Sequence, residues 1–112
     1  MSNYLLKNTK FRKSVSELYR RNRAEILDIV LFGSSVRGKE TPRDVDLLVI
    51  FKDSVDSDVV HAMRKTVEKL GFDADVVGKT WRETLQASFL PREKILAEGY
   101  SLVSNNFLYA LW

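Results

Sequence analysis

Two short, nearly unbroken apolar runs constrain this chain more than any other feature: "EILDIVLF", Glu25 to Phe32, and "VDLLVIF", Val45 to Phe51. Both are rich in β-branched residues and too short for an ordinary helix. Neither shows the strict alternation of a strand with one wet face, so the pattern predicts strands buried on both sides. A sheet holding two such strands needs cover on both faces. Gly33 stops the first run, and Gly33, Gly38 and Pro42 make the 33–44 connection turn, with room for a short helical turn inside it.

The rest of the chain offers that cover. Phe11, Val15, Leu18 and Tyr19 recur at helical spacing and define one face of an amphipathic helix. Ser57 is placed to cap a helix running to Leu70, with Val59, Val60, Met63, Val67 and Leu70 inward and Gly71 as its C′ residue. "FDADVV", Phe72 to Val77, reads as a third strand with Asp73 and Asp75 on one face. "TWRE", Thr80 to Glu83, matches a capping box and opens another helix. Pro91 begins a short helix ending at Gly99, and "YSLV" after it suggests an edge strand. The order helix, strand, strand, helix, strand, helix predicts an α/β or α+β layer, a small mixed β-sheet with helices packed on it. One domain over residues 1–112 is expected: a basic N-terminal helix (1–23), a core (25–103) and an apolar tail (104–112) that either packs down or meets a partner.

Several function classes drop out. No apolar run approaches the ~20 residues of a membrane span, and no signal-peptide pattern opens the chain, so a cytoplasmic location is expected. With no cysteine there is no disulfide framework and no thiolate metal site. Residues 1–23 carry seven Lys/Arg against Glu17 alone, a net of +6, while the whole chain is +3. Such an arm can attract nucleic acid, a nucleotide or an acidic partner. Because no aromatic-interleaved pattern accompanies the charge, a solvated helix face with a basic C-terminal end is favoured over nucleic acid.

The chemistry concentrates at the mouth of the second strand. Asp44 and Asp46 stand at i and i+2, so both carboxylates point to one face. Crowded carboxylates repel, and a hard divalent cation between them relieves the repulsion. Asp75, or less favourably Asp73, can bring a third acid from a neighbouring strand; three acids can organise two metals ~3.5–4 Å apart for phosphoryl or nucleotidyl transfer. Gly33 and Ser34 end the preceding strand, where a bare backbone, a hydroxyl and following amides suit a phosphate. Arg37 either forks onto phosphate or pairs with an acid such as Glu40.

"GSSVRGKETPRDVDLLV" resembles the signature of the DNA polymerase beta-like nucleotidyltransferase superfamily, in particular its stand-alone minimal nucleotidyltransferases. Gly33, Ser34, Arg37, Gly38, Asp44 and Asp46 stand at matching places, and "DVV" at Asp75 matches the family's third carboxylate. The resemblance is tightest over 25–51, then 72–77, then 91–103. It implies a Mg²⁺-dependent two-metal site: Asp44 and Asp46 hold both ions, and Asp75 binds the catalytic ion and helps deprotonate an acceptor hydroxyl. Gly33, Ser34 and Arg37 hold the triphosphate of an NTP, with ATP the expected one. Minimal nucleotidyltransferases are commonly paired with a separate helical protein, often a HEPN-type toxin that the antitoxin neutralises by attaching AMP. The alternative is a nucleotide- or partner-binding module of the same fold with little catalysis; self-association stays open.

Other candidates have plainer readings. His61 falls at a surface or boundary position of its helix, Met63 in the core stripe, and Trp81 as an apolar anchor. Lys39 and Lys52 read as solvated, and Asp53, Asp56 and Asp58 as loop and helix-start acids.

Overall fold

The computed structural model describes residues 4–32, 44–85 and 99–108. Along them run α1 (Tyr4–Lys7), α2 (Thr9–Asn22), β1 (Ile26–Phe32), β2 (Asp44–Phe51), α3 (Ser57–Lys69), β3 (Asp73–Thr80), α4 (Trp81–Leu85), β4 (Tyr100–Ser101) and β5 (Asn106–Phe107). The described strands form one sheet in the order β3-β2-β1-β4-β5. Only β2 and β3 are parallel; the other neighbours are antiparallel, so the sheet is mixed as expected. A parallel pair needs a crossover, and α3 provides it.

Both faces of the sheet are covered, which explains the two continuous apolar runs. Ile29 and Leu31 of β1 and Val45, Leu47, Val49 and Phe51 of β2 join Phe11, Val15 and Leu18 of α2 and Val59, Met63 and Val67 of α3 in the larger core. Val30, Leu48 and Ile50 point the other way, to a smaller core with Leu108, edged by Phe32, Val77 and Trp81. The apolar stripe read on residues 11–19 is the buried face of α2, Tyr19 being half-buried. Phe11 meets Phe72 edge-on at 6.3 Å, tying α2 to the turn before β3. Close packing of α3 on β3 depends on Gly78, where a Cβ would lie 2.6 Å from Val60 Cγ2 and 2.9 Å from Val55 Cγ1. Among the described residues no helix is long and apolar enough to cross a membrane.

Local signals fare unevenly. The capping box is formed: the Thr80 amide donates to Glu83 Oε1 at 2.9 Å, and the Glu83 amide to Thr80 Oγ1 at 3.2 Å. Gly71 follows α3 with φ +94°, the left-handed conformation that ends helices. The cap at the other end of α3 is not Ser57. Asp56 holds it, its Oδ1 accepting from the amides of Asp58 at 3.0 Å and Val59 at 3.4 Å, because a carboxylate there meets both the free amides and the helix dipole. Asp56→Ala is therefore expected to cost about 1 kcal/mol in urea unfolding and Ser57→Ala close to nothing.

Three expectations about strands need correction. β3 runs on to Thr80, three residues past the predicted end. "YSLV" yields only a two-residue strand, and it is internal: β4 pairs with β1 on one side and with β5 on the other. β1 also departs from burial on both faces at one residue. Its register slips between Ile26 and Asp28, so Leu27 is 40% exposed while Asp28 turns inward and is 6% exposed. The Asp28 carboxylate accepts from the Ser101 hydroxyl at 2.8 Å and the Ile29 amide at 2.7 Å, which answers its burial and fastens β4 to β1. Burial pushes its carboxyl up from the ordinary value, and those two hydrogen bonds oppose that. The predicted helix from Pro91 lies outside the described residues.

Candidate active site

The parallel register of β2 and β3 decides which acids meet. Asp44 pairs with Asp73 and Asp46 with Asp75, so all four side chains leave the same face of the sheet at the start of both strands. That face is the one carrying Leu48, Ile50 and Val77, opposite α2 and α3. The acids line a hollow of about 350 Å³ together with Ala74. Asp75, not Asp73, stands directly beside Asp46.

The neighbouring antiparallel pair supplies the third boundary. Phe32, the last described residue of β1, pairs with Asp46. The chain thus enters the 33–43 segment beside Asp46 and returns from it at Asp44. Gly33, Ser34 and Arg37, the predicted nucleotide-binding residues, lie in that segment, outside the described residues.

Electrostatics single out Asp46. It is half-buried between neighbours of its own charge, whereas Asp44, Asp73 and Asp75 are exposed. Burial first, then the charges of Asp75 and Asp44, push its carboxyl above the ordinary carboxylate range. Adjacent strands lie only ~4.8 Å apart, so like charges paired across them have little room to separate. A carboxylate cluster of this kind is a hard-oxygen donor set, the chemistry Mg²⁺ selects. Among the described residues no group of three or more His, Cys, Asp or Glu is placed to hold a metal ion.

The other sequence candidates take their plainer roles. His61 is exposed, with Arg64 Nη2 2.9 Å from its Nδ1; Met63 is fully buried; Trp81 edges the smaller core.

The chain has counterparts among known proteins. Residues 9–103 match the family model of the nucleotidyltransferase domain. The chain belongs to the nucleotidyltransferase domain family. Its fold is that of solved members. A chain of a toxin–antitoxin complex determined with AMP-PNP superposes with a TM-score of 0.59 at 24% identity, over 81% of this chain and 71% of that one. A complex of a tri-AMPylated Shewanella oneidensis HEPN toxin with an MNT antitoxin gives 0.55 at 25% identity, over 81% and 67%. An MntA–HepT toxin–antitoxin complex gives 0.53 at 23%, over 81% and 68%. No curated protein matches the sequence. As a nucleotidyltransferase the chain belongs to a group of enzymes.

Proposed function

We propose that this nucleotidyltransferase transfers a nucleoside monophosphate from an NTP, with ATP the expected donor, to a hydroxyl on a separate helical protein. The supporting observation is the placement of Asp46 beside Asp75 and, on its own strand, on the same face as Asp44. Mg²⁺ would be held by Asp44, Asp46 and Asp75; bound there, it supplies charge neutralisation for the triphosphate and the departing pyrophosphate. Gly33, Ser34 and Arg37 are the residues proposed to hold the triphosphate, since the segment containing them begins and ends at the acids. The acceptor oxygen bonds to the α-phosphorus while the bond from that phosphorus to its bridging oxygen breaks. Pyrophosphate leaves, and Asp75 takes the hydroxyl proton. The fold likeness to chains of HEPN toxin–MNT antitoxin complexes, one with an AMPylated toxin, supports a HEPN-type partner as acceptor and an antitoxin role.

Calorimetric titration with ATP and the other NTPs, with Mg²⁺ and with EDTA, tests the site without requiring the acceptor. A Mg²⁺-dependent binding step is expected, lost in Asp44→Asn/Asp46→Asn. Identical titrations with Mg²⁺ and EDTA would overturn the metal-site reading. Label from the α-phosphate of ATP should then appear on an added HEPN-type partner; metal-dependent binding without transfer to it would favour a binding module.

A further inference from the structure

The basic helix has a second aspect, on the side of the sheet away from the four aspartates. Thr9, Arg12, Lys13, Ser16, Tyr19 and Arg20 of α2 face the turn between β4 and β5 across a cavity of about 620 Å³. Val15, Leu102 and Val103 form its apolar floor, and Asn105 closes one end. Three of the lining residues are cationic and none is acidic.

One of those cations is fixed in place. Arg12 donates through Nη1 to the Leu6 carbonyl at 3.0 Å and through Nη2 to Asn105 Oδ1, so its guanidinium bridges α1, α2 and the β4–β5 turn. Asn105 sits at φ 55°, a left-handed turn position that asparagine tolerates well. Five N–H donors leave an arginine with spare capacity after two such bonds. Among the described residues no carboxylate pairs with Lys13 or Arg20, both exposed at the rim. Tyr19 is half-buried in the wall and offers a flat ring beside the charges.

We propose that this groove binds a nucleoside phosphate without metal, as a site separate from the acid-lined hollow. Its volume lies within the ~300–1,000 Å³ of small-molecule pockets. Arg12, Lys13 and Arg20 suit phosphate oxygens, Arg12 as a preset fork. The Tyr19 ring and the apolar floor suit the base, which a bare anion site would not need. Metal is unnecessary because the protein's own cations neutralise the phosphate. The phosphate and base can come from a free nucleotide or from the end of a single strand; both present the same chemistry to the groove.

Titrations in EDTA with the full chain test this, because the binding proposed for the acid-lined hollow depends on metal. ATP, AMP, pyrophosphate, poly-glutamate and a 5′-phosphorylated single-stranded oligonucleotide are the probes. Saturable binding of ATP or the oligonucleotide is expected, unchanged in Asp44→Asn/Asp46→Asn and weakened at least about tenfold in Lys13→Gln/Arg20→Gln. Because both rim residues are exposed, that variant should melt as wild type does. Tyr19→Ala should weaken binding and Tyr19→Phe retain it. Tighter binding of the nucleotide identifies the free ligand as occupant; tighter binding of the oligonucleotide, with a steep salt dependence, identifies the strand. Absence of binding by both, or binding unaffected by the rim substitutions, overturns the site. Pyrophosphate or poly-glutamate binding as tightly as ATP overturns its nucleoside character. Failure of the proposed transfer reaction would leave these outcomes unchanged, because they are read without metal and on the other side of the sheet.

Discussion

Asp46→Asn should lower nucleotidyl transfer by on the order of 10³-fold and at the same time give a protein that melts at a higher temperature in metal-free buffer. The two effects have one cause. Asp46 is half-buried beside Asp75 and Asp44, and its carboxyl is pushed up from the ordinary value of 3.8 by burial and by those charges. A group whose pKa is raised on folding binds its proton more tightly in the folded state. Its contribution to stability is therefore fully present below the unfolded value and lost as pH rises through the folded one. At neutral pH the ionised Asp46 weakens the fold, and asparagine removes that effect with almost no change of shape. The melting difference between variant and wild type should thus be widest near pH 7 and close as the medium is acidified towards pH 4. Adding Mg²⁺ with ATP should raise the melting point of the wild type and leave that of the variant nearly unmoved. A variant no more stable than wild type at pH 7 would show that the acids do not repel as their placement requires. Retained transfer would remove Asp46 from the catalytic set.

Phe51→Ala is expected to be the most damaging truncation of the core, costing about 3–5 kcal/mol by urea or thermal unfolding. Phe51 closes β2, pairing with Ile26 on one side and Thr80 on the other, and is fully buried. Its ring packs where β3 is stripped to glycine: a Cβ on Gly78 would come within 3.2 Å of Phe51 Cε2. Val55 and Val60 crowd the same spot from the approach to α3 and from α3 itself. Beyond it, the Lys52 amide donates to the Glu25 carbonyl at 2.9 Å and ties the end of β2 to the start of β1. Removing the ring opens a cavity between the sheet and α3, over a floor that the pairing of β2 on both sides holds in place, so collapse can recover little of the loss. A chain of this length has a total stability of ~6–17 kcal/mol, so the variant should stay folded at room temperature with a sharply reduced urea midpoint. A loss below about 1 kcal/mol would mean that the site repacks.

Legibility in the sequence follows physical range. Ile26–Phe32 and Val45–Phe51 were legible because burial on both faces leaves a continuous apolar signal. The pairing of Thr80 with Glu83 was legible because a capping box is local. Asp44 and Asp46 could be placed on one face by strand periodicity alone. That Asp75 rather than Asp73 meets Asp46 depends on the register across two strands joined by α3, which no local pattern encodes. β4 and β5 are two residues each, too short for any periodicity. The inward turn of Asp28 is not legible, because the bulge at Leu27 and the hydroxyl of Ser101 that meets its carboxylate are tertiary features. The choice of Asp56 over Ser57 as cap is not legible, because two cap-forming residues stand side by side and composition does not choose between them.

The mixed sheet also draws the acid cluster together from two ranges of sequence. Asp44 and Asp46 gain their first neighbour strand through the β1–β2 pairing, where Phe32 meets Asp46 across a short stretch of chain. Asp75 joins them through the β2–β3 pairing, whose partners lie farther apart in sequence than those of β1 and β2, with α3 in the intervening loop, so its closure carries the larger entropic cost. Two acids thus sit on a strand of the short-range pair, and the third is brought alongside them by the long-range one. The electrostatic work of completing the cluster falls on the pairing of β2 with β3. That long-range pairing is therefore where the repulsion around Asp46 weighs on the fold.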